Sequence, residues 1–205
     1  MSLVAQNVSV EIRMSEDVAF LGLLNEFPTV AVPGGIQVSL GDAYGEERRR
    51  IVFQLDVPRL ETLGARRVAE IVLGYVSVGD EIAQHEVTIP ITVNLVSADE
   101  AAAAEADHEV TEEVVVLMSA RAQEQAREHA DRGEFDAATK VLGEAASELR
   151  KVAPGSAQTA DLLAQAEMLE ENLTWMSDER YRSASKKAML YHMRSSRERR
   201  KKGEA

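Results

Sequence analysis

Cysteine is missing from the whole 205-residue chain, which removes disulfide frameworks, thiolate zinc sites and cysteine nucleophiles together. Aromatic residues make up only 4% of it, with a single Trp, so packing must come from aliphatic side chains and alanine. No run approaches the roughly 18 apolar residues of a membrane span. The start, MSLVAQNVSV, also lacks the basic stretch followed by an apolar stretch that marks a secretory signal. A cytoplasmic location is therefore expected, and the sequons Asn7-Val8-Ser9 and Asn172-Leu173-Thr174 carry no weight outside a secretory context.

Enzyme signatures are missing too. The sequence holds no phosphate-cradling Gly-rich loop with its Lys, no Gly-x-Ser-x-Gly and no His-Glu-x-x-His. His85, His108, His129 and His192 fall in four different expected elements, none with a second His at ligand spacing, so they read as surface histidines. His108-Glu109 opens an acidic helix start, and Asp42, Glu46 and Glu47 sit in Gly-rich turn sequence beside Arg48 to Arg50, where a solvated loop suffices. The expectation is a non-catalytic protein with no catalytic, cofactor-binding or metal residues and no cofactor.

What is present is divided along the chain. Residues 1 to 97 carry 7 basic and 13 acidic groups, residues 98 to 150 carry 5 and 14, and residues 151 to 205 carry 11 and 8. The first stretch alternates with period two, as half-buried strands do. Val8, Val10 and Ile12 share one face, as do Ile51, Phe53, Leu55 and Val57, and then Val87, Ile89, Ile91, Val93 and Leu95. Turn residues at Pro33-Gly34-Gly35, Gly41-Asp42, Tyr44-Gly45, Pro58, Gly64 and Gly79-Asp80 space out about seven strands of an antiparallel β-sandwich over 1–97. Pro90 lies in the polar phase of the last strand and predicts an edge or a bulge there.

Near Ser97 the period changes. Residues 98 to 117 hold seven acids and no Lys or Arg, which suits a linker entering a helix N-terminus. Val110, Val114, Leu117 and Met118 then mark one helix face; Phe135, Ala138, Leu142, Ala145, Leu149 and Val152 mark a second helix after the break at Asp131 to Glu134. Leu162, Ala166, Leu169, Leu173 and Met176 make a third stripe past Pro154-Gly155-Ser156, with Trp175 expected to help close the bundle, and Tyr181, Ala184, Ala188 and Tyr191 a shorter fourth. Segment 98–205 is thus expected to be an acidic linker and an antiparallel bundle of three to four helices, and the fold class α+β in two segments. The tail Arg194 to Lys202 carries six basic residues and one acid without interleaved aromatics, which suits a helix end better than specific nucleic-acid recognition.

Several stretches together resemble the C-terminal region of bacterial von Willebrand factor type A domain proteins, the group described as homologous to calcium-activated chloride channels. They are Leu24-Asn25-Glu26-Phe27-Pro28, Gly34 through Asp42, Gly45-Glu46-Glu47-Arg48-Arg49, His85 through Asn94, Ala130 through Ala138, and Ser185 through Tyr191. The resemblance implies an upstream type A domain, which would hold Mg²⁺ or Mn²⁺ through Asp-x-Ser-x-Ser. No aspartate here is followed by those serines, so the metal site is not carried onto any residue of this chain. Met1-Ser2-Leu3 stands directly before strand-like sequence, as expected at the end of a fragment. The hairpin about Gly133 is similar to one tetratricopeptide unit, with Ala126, Phe135, Ala138, Leu142 and Ala145 at fitting positions, and one unit does not make a groove. The expected function is a non-catalytic protein-interaction or scaffolding module that supports the upstream type A domain. A purely structural domain, or weak binding of an anionic partner through the basic tail, is the alternative.

Overall fold

The computed structural model describes residues 2–58, 62–79, 82–177 and 191. The chain is α+β in two segments. It divides into two compact units, the first ending at Ala104 and the second beginning at Glu105.

The first unit holds β1 (Leu3–Met14), β2 (Ala19–Leu23), β3 (Thr29–Val32), β4 (Gly35–Tyr44), β5 (Phe53–Asp56), β6 (Gly64–Ser77) and β7 (Gln84–Leu95). An antiparallel five-stranded sheet runs β3-β4-β1-β6-β7, and β2 pairs with β5 in a separate ribbon. Register aligns apolar residues into rows across the large sheet. One row is Thr29, Val38, Val10, Leu73 and Val87; the next is Ala31, Ile36, Ile12, Ile71 and Ile89. Directly opposed residues share a face, so each row is one continuous line of contact. The middle of both rows is buried, with Ile12 and Val38 wholly so, under Phe20 and Leu23 of β2, Phe53 of β5 and the flanking Phe27 and Ile51. Phe20 and Phe53 stack at 6.4 Å.

The turns are built by specific residues. Pro33-Gly34 joins β3 to β4 with Gly34 at φ +78°, where a side chain would be strained. The Asn25 side-chain oxygen accepts the Val52 N–H at 2.6 Å, and Leu24 bonds the Val52 carbonyl, which pins the loop that carries Phe27. Gly41-Asp42, expected to separate strands, instead lies inside β4. There Gly41 takes φ +76° opposite a register shift beside Val8, so it marks a bulge that bends the strand rather than ending it. Pro90 lies on β7, which is an edge of the sheet as its position predicts.

The short helix α1 (Ala98–Ala103) follows, opened by a capping box in which Ser97 accepts from the Glu100 N–H and Glu100 reaches back to Ser97. It buries no residue. The stretch from Ala104 to Asp107 is non-helical and exposed throughout. We expect limited digestion with a Glu-specific protease to cut first after Glu105, leaving two resistant pieces. First cleavage within β7 would refute that boundary.

The second unit holds α2 (His108–Asp131), α3 (Phe135–Val152) and α4 (Thr159–Ser177), with a 3₁₀ turn at Ala153–Gly155. Asp107 caps α2 by accepting the Val110 N–H at 3.0 Å. Gly133 reverses the chain at φ +77°. The elbows are short, α3 packs against both α2 and α4, and the core is Leu142, Leu149, Leu162, Leu169 and Met176 with Ala126, Ala138, Ala146 and Ala166 between them. The stripes expected on α3 and α4 are the ones that turn inward. Arg150 of α3 clamps Glu170 of α4 with two bonds of 2.9 and 2.8 Å, and this pairing holds the Glu170 carboxyl below its ordinary range. Both side chains are nearly half exposed, so solvent screens the pair and its stabilisation is small; it fades as pH falls through the carboxylate range. Among the described residues no helix is long and apolar enough to cross a membrane.

Candidate functional site

The expected inward face of α2 is its outward face. Val110 is 59% and Met118 46% exposed, Val114 and Leu117 are half-buried and outside the packed core, and the buried side carries Glu113, Val116, Ser119, Ala122, Gln123, Ala126 and Ala130. Hydrophobic periodicity selects the large aliphatics, whereas the buried side here mixes alanine and serine with Glu113, Gln123 and Val116. Trp175 departs from expectation in the same sense: Met176 closes the bundle while Trp175 stands 45% exposed.

The sheet leaves a second apolar surface. The two rows described above end differently at the two edges, in Thr29 and Ala31 on β3 but in Val87 and Ile89 on β7, which are 44% and 46% exposed. These β7 residues lie on the core face, yet the covering ribbon has only two strands. A half-buried face was expected along β7; its first half is bare because the second layer is narrow. Arg66, opposite Val93 and paired with Asp17 at 2.7 Å, gives this strip a charged border. Pro90 removes one backbone donor from this edge, which disfavours addition of a further strand.

The acidic turn and the described histidines are engaged in structure. Arg49 bonds Glu47 and the carbonyls of Leu40 and Asp42, which makes the acidic turn at 42–47 a folded staple. His85 stacks on Tyr75 at 4.9 Å and meets the Ser77 hydroxyl at 3.1 Å. His108 lies against Gly155, and His129 meets Glu134 at 2.6 Å, beside Arg132. Arg132 and then His129 lower the Glu134 carboxyl below its ordinary range. Glu134, Phe135, Asp136, Thr139 and Met176 line a depression of about 570 Å³ beside this elbow. Among the described residues no group of three His, Asp or Glu side chains is placed to hold a metal ion. Asn172 of the second sequon is buried, while the fourth stripe before Tyr191, His192 and the basic tail lie outside the described residues.

No family profile and no curated protein matches the sequence. The fold does match. Its architecture is similar to a solved von Willebrand factor type A protein from Catenulispora acidiphila, with a TM-score of 0.54 at 14% identity over 88% of this chain and 41% of that one. The ArnB paralog VWA2 from Sulfolobus acidocaldarius aligns at a TM-score of 0.46 and 18% identity, over 85% of this chain and 42% of that one. The span matched in the first is longer than either unit, so the likeness embraces both strands and helices. This chain corresponds to about two fifths of the length of those proteins.

Proposed function

We propose that this chain is a non-catalytic interaction module that supports a type A domain in a longer protein of the chloride-channel homologue group, and that the bare β7 strip is the surface it uses. The carrying observation is the exposure of Val87 and Ile89 on the core face of the sheet, at the ends of rows whose middle, Val10, Ile12 and Val38, is buried. Nothing in the sandwich accounts for large aliphatics there, because the opposite edge closes the same rows with Thr29 and Ala31. A cover over β7 completes the second layer. In this reading the metal implied by the resemblance belongs to the partner domain, in keeping with the lack of Asp-x-Ser-x-Ser in this sequence.

The test is calorimetric titration of this chain with the type A domain of the same longer protein, beside the Ile89→Lys variant. Ile89 is already half exposed, so the lysine leaves the fold intact while placing a charge in the contact. Binding is expected to weaken at least about tenfold, equivalent to ~1.4 kcal/mol. Equal affinity of variant and parent would remove β7 from the interface, and no binding by either would defeat the proposal.

A further inference from the structure

We infer that the outward face of α2 docks a cationic amphipathic helix of a partner protein. Val110, Val114 and Leu117 recur at the spacing of one helix face, with Met118 beside them, and they lie opposite the buried arc of Val116, Ser119, Gln123 and Ala126. The stripe spans Val110 to Met118, about 12 Å of helix, enough to receive two turns of an apolar face. Its charge environment selects the occupant. Residues 105 to 120 include Glu105, Asp107, Glu109, Glu112 and Glu113 and no Lys or Arg, and the first cation of α2, Arg121, lies past the end of the stripe.

Glu112 is turned to the Ser156 hydroxyl at 2.6 Å and Glu113 is buried; Glu105, Asp107 and Glu109 are exposed near the start of the stripe, Asp107 also serving as the cap of α2. Lysines or arginines flanking an apolar helix face complement that arrangement, and an acidic helix, a nucleic acid or an anionic lipid surface is repelled by it. The interaction is separate from the one assigned to β7, since it uses a different unit and different residues.

Fluorescence anisotropy on the full chain decides the matter with three labelled synthetic peptides of about 18 residues: an amphipathic Leu/Lys helix, a scrambled peptide of identical composition, and the Leu/Glu counterpart of the first. The amphipathic cationic peptide is expected to bind at least about tenfold more tightly than either control. The double variant Val110→Ser, Met118→Ser should lose a similar factor, with circular dichroism confirming that it is folded, and Ile89→Lys should leave binding unchanged. Binding of the scrambled peptide with equal strength, or indifference to the double variant, would reduce the effect to bulk charge and overturn the inference. Equal or tighter binding of the Leu/Glu helix would overturn the assigned charge of the partner, and absence of binding by all three would overturn the docking stripe. None of these outcomes bears on the β7 proposal.

Discussion

Replacing Leu142 with alanine is expected to destabilise the helical unit by about 2–5 kcal/mol, the range for deleting a large buried aliphatic side chain. Leu142 is wholly buried at the centre of α3, the helix that packs against both of its neighbours. Its surroundings make collapse of the cavity difficult. Ala138 and Ala146 stand one turn away on either side, and neither has atoms that can swing into the space. The single Trp, at position 175 on α4, reports this unit, so urea titration followed by its fluorescence reads the loss directly. Met118→Ala, on the exposed stripe, should remain within about 0.5 kcal/mol of the parent. A change of less than about 1 kcal/mol for Leu142→Ala would mean that the α3 core is not packed as described.

Gly35→Ala should damage the sandwich nearly as much, although it adds a single methyl group. A Cβ on Gly35 would run into the Ile12 carbonyl oxygen, with the carbonyl carbon at 2.9 Å and the Arg13 Cα at 3.1 Å. All three atoms are backbone of β1, which is held between β4 and β6, so nothing small can move aside. The cost should reach about 3 kcal/mol, the upper part of the range for overpacking. Gly155→Ala is the control. Its Cβ would also meet a close neighbour, but that neighbour is the ring of exposed His108, which can rotate away. Thermal unfolding followed by circular dichroism should show a large fall for Gly35→Ala and almost none for Gly155→Ala; similar shifts for both would contradict this account.

Strands and helices differed in how much of them the sequence disclosed. Alternation located β1, β5 and β7, because one face of each meets apolar neighbours and the other meets water. The stripes of α3 and α4 were legible for a similar reason, since their large leucines are the residues that fill the core. α2 misled because its buried side is mostly Ala, Ser, Gln and Glu with Val116 its one large buried aliphatic, while Val110 and Met118 face out. Gly41 signalled a turn and produced a bulge; a positive φ serves either purpose, and only strand pairing separates them. The β7 strip could not have been foreseen from its own residues. Whether Val87 is covered depends on how many strands the opposing layer has, a property of β2 and β5 far away in sequence.

Six of the buried residues at the heart of the helical unit, Ala126, Ala130, Ala138, Ala146, Ala153 and Ala166, have side chains of one carbon. Helices that meet through methyl groups approach toward the short end of the usual 8–10 Å spacing. The direction of mutational tolerance is thereby reversed at these positions. In a leucine-filled bundle the harmful changes are deletions, whereas here every other side chain except glycine is an enlargement that must pry two helices apart. Sequences that drift while keeping this unit folded are therefore held to alanine or glycine along the seams and are free to vary where α2 and α4 face outward.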